Sequence, residues 1–296
     1  MLTRHLLAAT AAAAMLIPTQ HASANTLELA LVIDGSSSIA ASDWSLQTGA
    51  YQSIFQNDFF TTFIGPSVFD DIVVGAFVFS GGTVTSNGVP IETFAVTSFV
   101  DWTLINDDAD AFTFGAALGA LVQPGGQTNT SAAITIATNG GTVGCLIASI
   151  CNVSPSGTRP GLLNNGFNGD KLVIDISTDG VPTLPNAGGN PNIPEAQIDR
   201  ALAIAAADAA RAAGITVNAI GVGGGVDAPF LAALVGINPA KTPQGFFITA
   251  GTFSEFNAGL QEKIGRETAI PVPPALPLAL SAFGAAFWRA RRRATC

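Results

Sequence analysis

Glu28-Leu29-Ala30-Leu31-Val32-Ile33-Asp34-Gly35-Ser36-Ser37-Ser38 changes character at Asp34. The apolar run before it has no period-two alternation, so it reads as a strand buried on both faces, the kind that lies in parallel sheets between helices. The residues after it gather a carboxylate and three hydroxyls in a short turn. Open α/β sheets bind ligands beyond the carboxyl ends of their strands, so this turn is the first place to look for a site.

The same reading extends along the chain. Ile72–Phe79 and Lys171–Ser177 are further buried strands, Ile215–Val222 and Phe246–Thr249 complete the set, and Gly88–Phe94 reads as an edge strand. Helices are expected over Ser42–Phe60, capped by Ser42 or Asp43, and over Asp107–Val122, which opens with acids. Others follow from Thr130 to Ala137, over the Ala-rich Glu195–Ala213 stopped by Gly214, over Ala228–Val235 and over Phe253–Arg266. Strands alternating with helices predict one α/β domain, doubly wound, with a mainly parallel central sheet flanked by helices.

Both ends look like processing signals. A basic start at Arg4, an apolar run from Leu6 to Ile17 and the small-residue pattern Ala22-Ser23-Ala24 predict a signal peptide over residues 1–24. The run falls short of the roughly 20 apolar residues of a membrane span. Both histidines, His5 and His21, fall in this leader, so residues 25–270 contain none. That body carries 21 acidic and seven basic side chains, a net charge of −14. Such a surface repels nucleic acid, whose binding rests on cationic side chains neutralising phosphates, and attracts cations.

Three polar segments follow predicted strands or open predicted helices: Asp34-Gly35-Ser36-Ser37-Ser38, Gly125-Gly126-Gln127-Thr128-Asn129-Thr130 and Thr178-Asp179-Gly180. Together they offer two carboxylates and several hydroxyls, an all-oxygen donor set of the sort hard cations take. Their order and spacing resemble the metal-ion-dependent adhesion site of von Willebrand factor A domains, with the D-x-S-x-S pattern at Asp34, Ser36 and Ser38. The strand Val217–Gly223 after the Ala-rich helix adds to the likeness, which covers Thr26 to Arg266. The resemblance implies that Ser36 and Ser38 ligate Mg²⁺ directly, with Ca²⁺ or Mn²⁺ as substitutes. It implies that Thr128, rather than Thr130, ligates directly or through water, and that Asp34 and Asp179 hold ordered waters or hydrogen-bond the serines. An open coordination position would then capture an acidic group of an extracellular protein or polysaccharide.

Other patterns weigh less. Gly221-Val222-Gly223-Gly224-Gly225 breaks the G-x-G-x-x-G spacing of a dinucleotide loop and reads as a tight turn. Asp107, Asp108 and Asp110 lack the full loop of an EF-hand and fit a helix N-terminus. Trp44, Trp102 and the phenylalanines read as core. Without histidine in the body, a Ser-His-Asp hydrolase, a Cys-His protease and the usual zinc hydrolases are excluded, and no G-x-S-x-G or Walker-type loop is present. The expectation is a binding module and no enzyme, with a structural surface or matrix protein as the alternative, and a carboxylate-based hydrolase behind it.

Asn139–Gly169 is a long insert rich in Gly, Asn, Ser and Pro. Its Cys145 and Cys151 are expected to pair as a disulfide in an oxidising compartment, closing a small loop that pins part of the insert near the metal face. After a domain spanning 25–268, residues 270–296 read Val272-Pro273-Pro274-Ala275, an apolar stretch to Trp288 and the cluster Arg289-Ala290-Arg291-Arg292-Arg293. This resembles the bacterial PEP-CTERM sorting signals, in particular the VPLPA variant. The resemblance implies an inner-membrane segment that an exosortase-like sorting peptidase cuts, leaving the domain at the cell surface or released.

Overall fold

The computed structural model describes residues 25–86, 89–143, 157–183 and 194–269, and the side chains of 83–95 are not among those described. The leader, Cys145, Cys151 and the C-terminal segment therefore lie outside the described residues. Strands β1 (Thr26–Asp34), β2 (Asp71–Ser86), β3 (Val89–Ile105), β6 (Lys171–Thr178), β7 (Thr216–Val222) and β8 (Phe247–Ala250) form one sheet in the order β3-β2-β1-β6-β7-β8. β4 (Gly141–Val143) and β5 (Gly157–Arg159) make a separate antiparallel pair. Every ladder of the main sheet is parallel except β2 with β3.

The helices sort to the two faces by the side chains they bury. β1 points Leu27, Leu29, Leu31 and Ile33 one way, into a cluster with Tyr51, Ile54 and Phe55 of α1 (Ala41–Gln56). Phe114 and Leu118 of α2 (Asp108–Gly119) and Phe256, Leu260 and Ile264 of α6 (Phe256–Thr268) complete that face. Ala30 and Val32 point the other way, toward Ile134 of α3 (Thr130–Asn139), Ala203, Ala207 and Ala210 of α4 (Glu195–Ala212) and Leu231 of α5 (Ala228–Leu234). Each leucine, isoleucine or valine side chain so taken from water contributes about 1.5–3 kcal/mol, which is why a strand apolar on both faces belongs at the centre. α4 presents small alanines, and Gly214, at φ +87°, ends it in the left-handed conformation that glycine adopts without penalty.

Three expectations are corrected. The first helix starts at Ala41 behind Ala40, which makes no side-chain cap, so Ser42 and Asp43 sit inside the first turn. It ends at Gln56, and a π-helical turn follows over Phe60–Ile64. The edge strand is longer than Gly88–Phe94: β3 runs to Ile105, paired to β2 through several bulges. Finally, the described parts of the insert pack at the amino end of β1, away from its carboxyl end. Asp170 N–H donates to Thr26 O at 2.8 Å, Asn165 Nδ2 donates to Glu28 at 2.7 Å, and Trp102 Nε1 donates to Pro160 O at 2.9 Å. The reason is topological: α3 starts at the carboxyl ends of the strands and runs back, so the chain leaves it at the opposite end of the sheet.

Candidate metal centre

The site is assembled where β1 and β6 lie side by side. Their register sets Ile33 opposite Ser177, so Asp34 and Thr178 emerge together at the carboxyl end. The turn after Asp34 is fastened to the loop after α2. Gly35 N–H donates to Phe79 O at 2.8 Å, Gly125 N–H to Gly35 O at 3.0 Å, and Ser37 N–H to Gly126 O at 2.8 Å. A Cβ on Gly35 would come within 2.6 Å of Pro124 Cδ, so only glycine lets the two loops approach this closely. Gln127 N–H donates to Gly81 O at 2.7 Å, fixing the loop to β2. Thr183 then holds Thr128 from both sides, its hydroxyl accepting from Thr128 N at 3.2 Å and its N–H donating to Thr128 O at 2.9 Å.

Four of the five expected site residues join in one chain of hydrogen bonds. Asp34 Oδ1 accepts from Ser36 N at 2.9 Å, and Asp34 Oδ2 accepts from the Thr178 hydroxyl at 2.7 Å. Ser36 Oγ lies 2.9 Å from Ser38 Oγ, and Ser38 Oγ donates to Asp179 Oδ1 at 2.8 Å. Thr128 faces the same cleft as Ser38 and Asp179. Thr130 does not line that cleft; it begins α3 and is buried. Asp34 and Ser36 are buried while Ser38 is exposed, so the cluster runs from the core to the surface.

Burial pushes the Asp34 carboxyl up to about 6, and the neighbouring Asp179 carboxylate adds to the rise, against hydrogen bonds from Thr178 and Ser36. Asp179 is raised too, by burial first, with Ser38's hydrogen bond opposing and the Asp43 charge adding. Two carboxylates that disfavour each other's ionisation stand at a place where a cation would relieve both. The donors are oxygens only, which suits a hard divalent cation and excludes one that requires thiolate or imidazole. Among the described residues no group of three or more His, Cys, Asp or Glu side chains is placed to hold a metal. A cation held here would have two carboxylates and several hydroxyls from the chain as its donors.

The cleft above the cluster encloses about 1030 Å³. Its far wall is the glycine turn after β7, where Gly223 has φ +87° and Gly225 backs onto Asp179. That run is a turn, as its spacing indicates. Arg200 lines the same cleft and pairs with Asp227 at 3.4 Å. Asp107 is the cap of α2, its carboxylate accepting from Ala109 N at 2.9 Å and Asp110 N at 2.8 Å. Asp108 accepts from Phe60 N at 2.7 Å and from the Thr61 hydroxyl at 2.5 Å, and the Thr61 bond holds it below the usual carboxylate range. Sequence reading missed the supports. Gln47 Nε2 donates to Asp34 O at 2.9 Å, Gln123 Nε2 donates to Ile39 O at 2.8 Å, and Thr183 clamps Thr128. Thr178 alone had a signal, its place beside Asp179 in the quoted motif.

No family model matches the chain, and no curated protein does. Solved structures do. The pilus adhesin SpaC from Lactobacillus rhamnosus GG aligns at 15% identity and a TM-score of 0.50, covering 82% of this chain and 31% of that one. Proximal thread matrix protein 1 from the mussel byssus, with a zinc-occupied MIDAS motif, aligns at 15% identity and TM-score 0.45 over 82% of this chain and 46% of that one. A von Willebrand factor type A protein from Catenulispora acidiphila aligns at 12% identity and TM-score 0.43 over 83% and 43%. This chain thus spans under half the length of each. Likenesses at such identities speak to fold alone, and the alignment with the adhesin agrees with the doubly wound, mainly parallel α/β sheet described above.

Proposed function

We propose that this chain is an exported binding module that captures its ligand through a divalent cation held by Asp34, Ser36, Ser38, Thr128 and Asp179. The observation that carries the reading is the convergence of three distant segments on one oxygen-lined cluster at the carboxyl end of the sheet. A turn that only needed to be a turn would not require its serine to reach Asp179, 141 residues away. Mg²⁺ is the cation proposed, with Ca²⁺ or Mn²⁺ as substitutes, because the donors are hydroxyls and carboxylates. The chain's residues would hold and orient the ion: Ser36 and Ser38 as direct ligands, Asp34 and Thr178 fixing the serine turn, and Asp179 anchoring Ser38. The ion would supply a positive charge with an open position for an acidic group of an extracellular protein or polysaccharide. The expected leader and C-terminal sorting-type segment support a location at the cell surface or outside the cell, and the proposed Cys145–Cys151 bridge belongs to the same reading. No step in it requires catalysis.

The test is adhesion of immobilised chain to extracellular proteins and polysaccharides from its own cells, with Mg²⁺, with EDTA, and with the Asp179→Ala variant. Retention that needs Mg²⁺ and disappears in the variant supports the reading. Retention indifferent to both leaves a purely structural surface protein as the better account.

A further inference from the structure

Away from the cleft, three ionisable side chains are shut together in the core. Asp175 of β6 and Lys263 of α6 are both 0% exposed, and Glu267, one turn along α6, is 1% exposed. Lys263 Nζ touches Asp175 Oδ1 and donates to Glu267 Oε1 at 2.9 Å. Asn218 Nδ2 donates to the same Glu267 oxygen at 2.8 Å and fixes its orientation. Asp175 Oδ2 and Glu267 Oε2 have no hydrogen-bond partner among the described residues. Tyr51 is fully buried and set edge-to-face on Phe256 at 5.6 Å; burial first, and then the Asp175 and Glu267 charges against a Ser177 hydrogen bond, raise its hydroxyl well above the usual range.

Half-buried Lys171 donates to the Glu267 carbonyl oxygen at 2.6 Å from outside the triad, but within it one ammonium faces two carboxylates, and burial favours a proton on one of them. Burial first, and then Glu267, push Asp175 up to about 7 against the attraction of Lys263. Such a triad is costly as a mere ion pair, and its geometry suits a condensation. We propose that Lys263 and Asp175 are joined in the mature fold by an intramolecular amide bond, with Glu267 relaying the protons.

The chemistry balances without an oxidant or an activated intermediate. Burial works to lower Lys263, but Asp175 and Glu267 raise it above the usual ammonium range, so it rests as the ammonium. It becomes a neutral amine facing a neutral acid only on passing its proton to the carboxylate beside it. Its nitrogen attacks Asp175 Cγ, and the carbonyl pair moves onto oxygen. Glu267, neutral once both carboxyls carry protons, gives its proton to the departing hydroxyl and takes one from the nitrogen in exchange. The Cγ–O bond breaks, the carbonyl re-forms, and one water leaves. Contact in a fixed orientation supplies the effective concentration, and exclusion of water from the core opposes the reverse reaction. The product replaces three buried ionisable groups by a neutral amide and one neutral acid, and it ties α6 covalently to the strand beside β1.

Tryptic digestion of the denatured full chain, read by mass spectrometry, tests this independently of the metal site and of processing at either end. The expected product is a branched peptide joining residues 172–200 to 242–266, lighter by one water than its two parts, with no cleavage after Lys263. Separate peptides 172–200 and 242–263 from the wild-type chain overturn the proposal. Glu267→Gln keeps an acceptor for Asn218 and removes the proton relay, so it is expected to fold and to yield the separate peptides. A fully linked Glu267→Gln chain would refute the role given to Glu267. The wild-type digest decides the bond itself even where a variant fails to fold.

Discussion

Asp34 carries the largest consequence of any single residue in the site. In the folded chain its carboxyl holds a proton up to about pH 6, and in the unfolded chain only up to about 3.8. Between those values the native state binds the extra proton, so stability falls as pH rises from about 4 to about 6 and levels off above. The span corresponds to about 3 kcal/mol at most. Denaturant unfolding in EDTA at several pH values should show this decline in the wild type and a flatter profile in Asp34→Asn. Parallel profiles would mean that Asp34 is not the strained group. Gly35 makes a second test at this scale. Gly35→Ala forces a methyl group against Pro124 and Val78 and should cost about 1–3 kcal/mol in thermal or chemical unfolding. A variant as stable as the parent would show that the two loops have room to separate. The residues that bind were legible in the sequence because they cluster in short motifs. Gln47, Gln123 and Thr183 were not, because each acts on a segment more than ten positions away and nothing nearby in the chain announces it.

At the scale of elements, apolar runs identified every parallel strand, since burial on both faces leaves few polar positions to confuse the reading. The half-buried edge was harder. β3 carries Asp101 and Leu104 to solvent while Val96 and Ile105 are buried, and its bulges break the alternation that would have marked its full length. The described parts of the insert lie at the amino end of β1, which a linear motif map could not show because it gives no direction to α3. The acidic start of α2 fits a helix N-terminus in the sequence, and the structure makes Asp107 its cap, which has its own test. Asp107→Ala should lose about 1 kcal/mol of stability, the usual worth of an N-cap, and leave divalent-cation binding unchanged. Weakened cation binding in that variant would instead give the Asp107, Asp108 and Asp110 cluster a ligand of its own.

For the whole molecule, the decisive relation is between an acidic surface and the one place where its charge is organised. Residues 25–270 carry a net −14, which draws cations diffusely. The cluster at the carboxyl ends of β1 and β6 differs in that its carboxylates are buried or half-buried and fixed by hydroxyls. Diffuse attraction is screened by salt, whereas a coordinated ion is not. Calorimetric titration of Mg²⁺ into the wild-type chain and Asp179→Ala, at physiological salt, separates the two. The account predicts one saturable site in the wild type and an affinity weakened by about tenfold or more in the variant, with both proteins unfolding cooperatively. Equal Mg²⁺ affinity in the two, or no saturable binding in either, would contradict it.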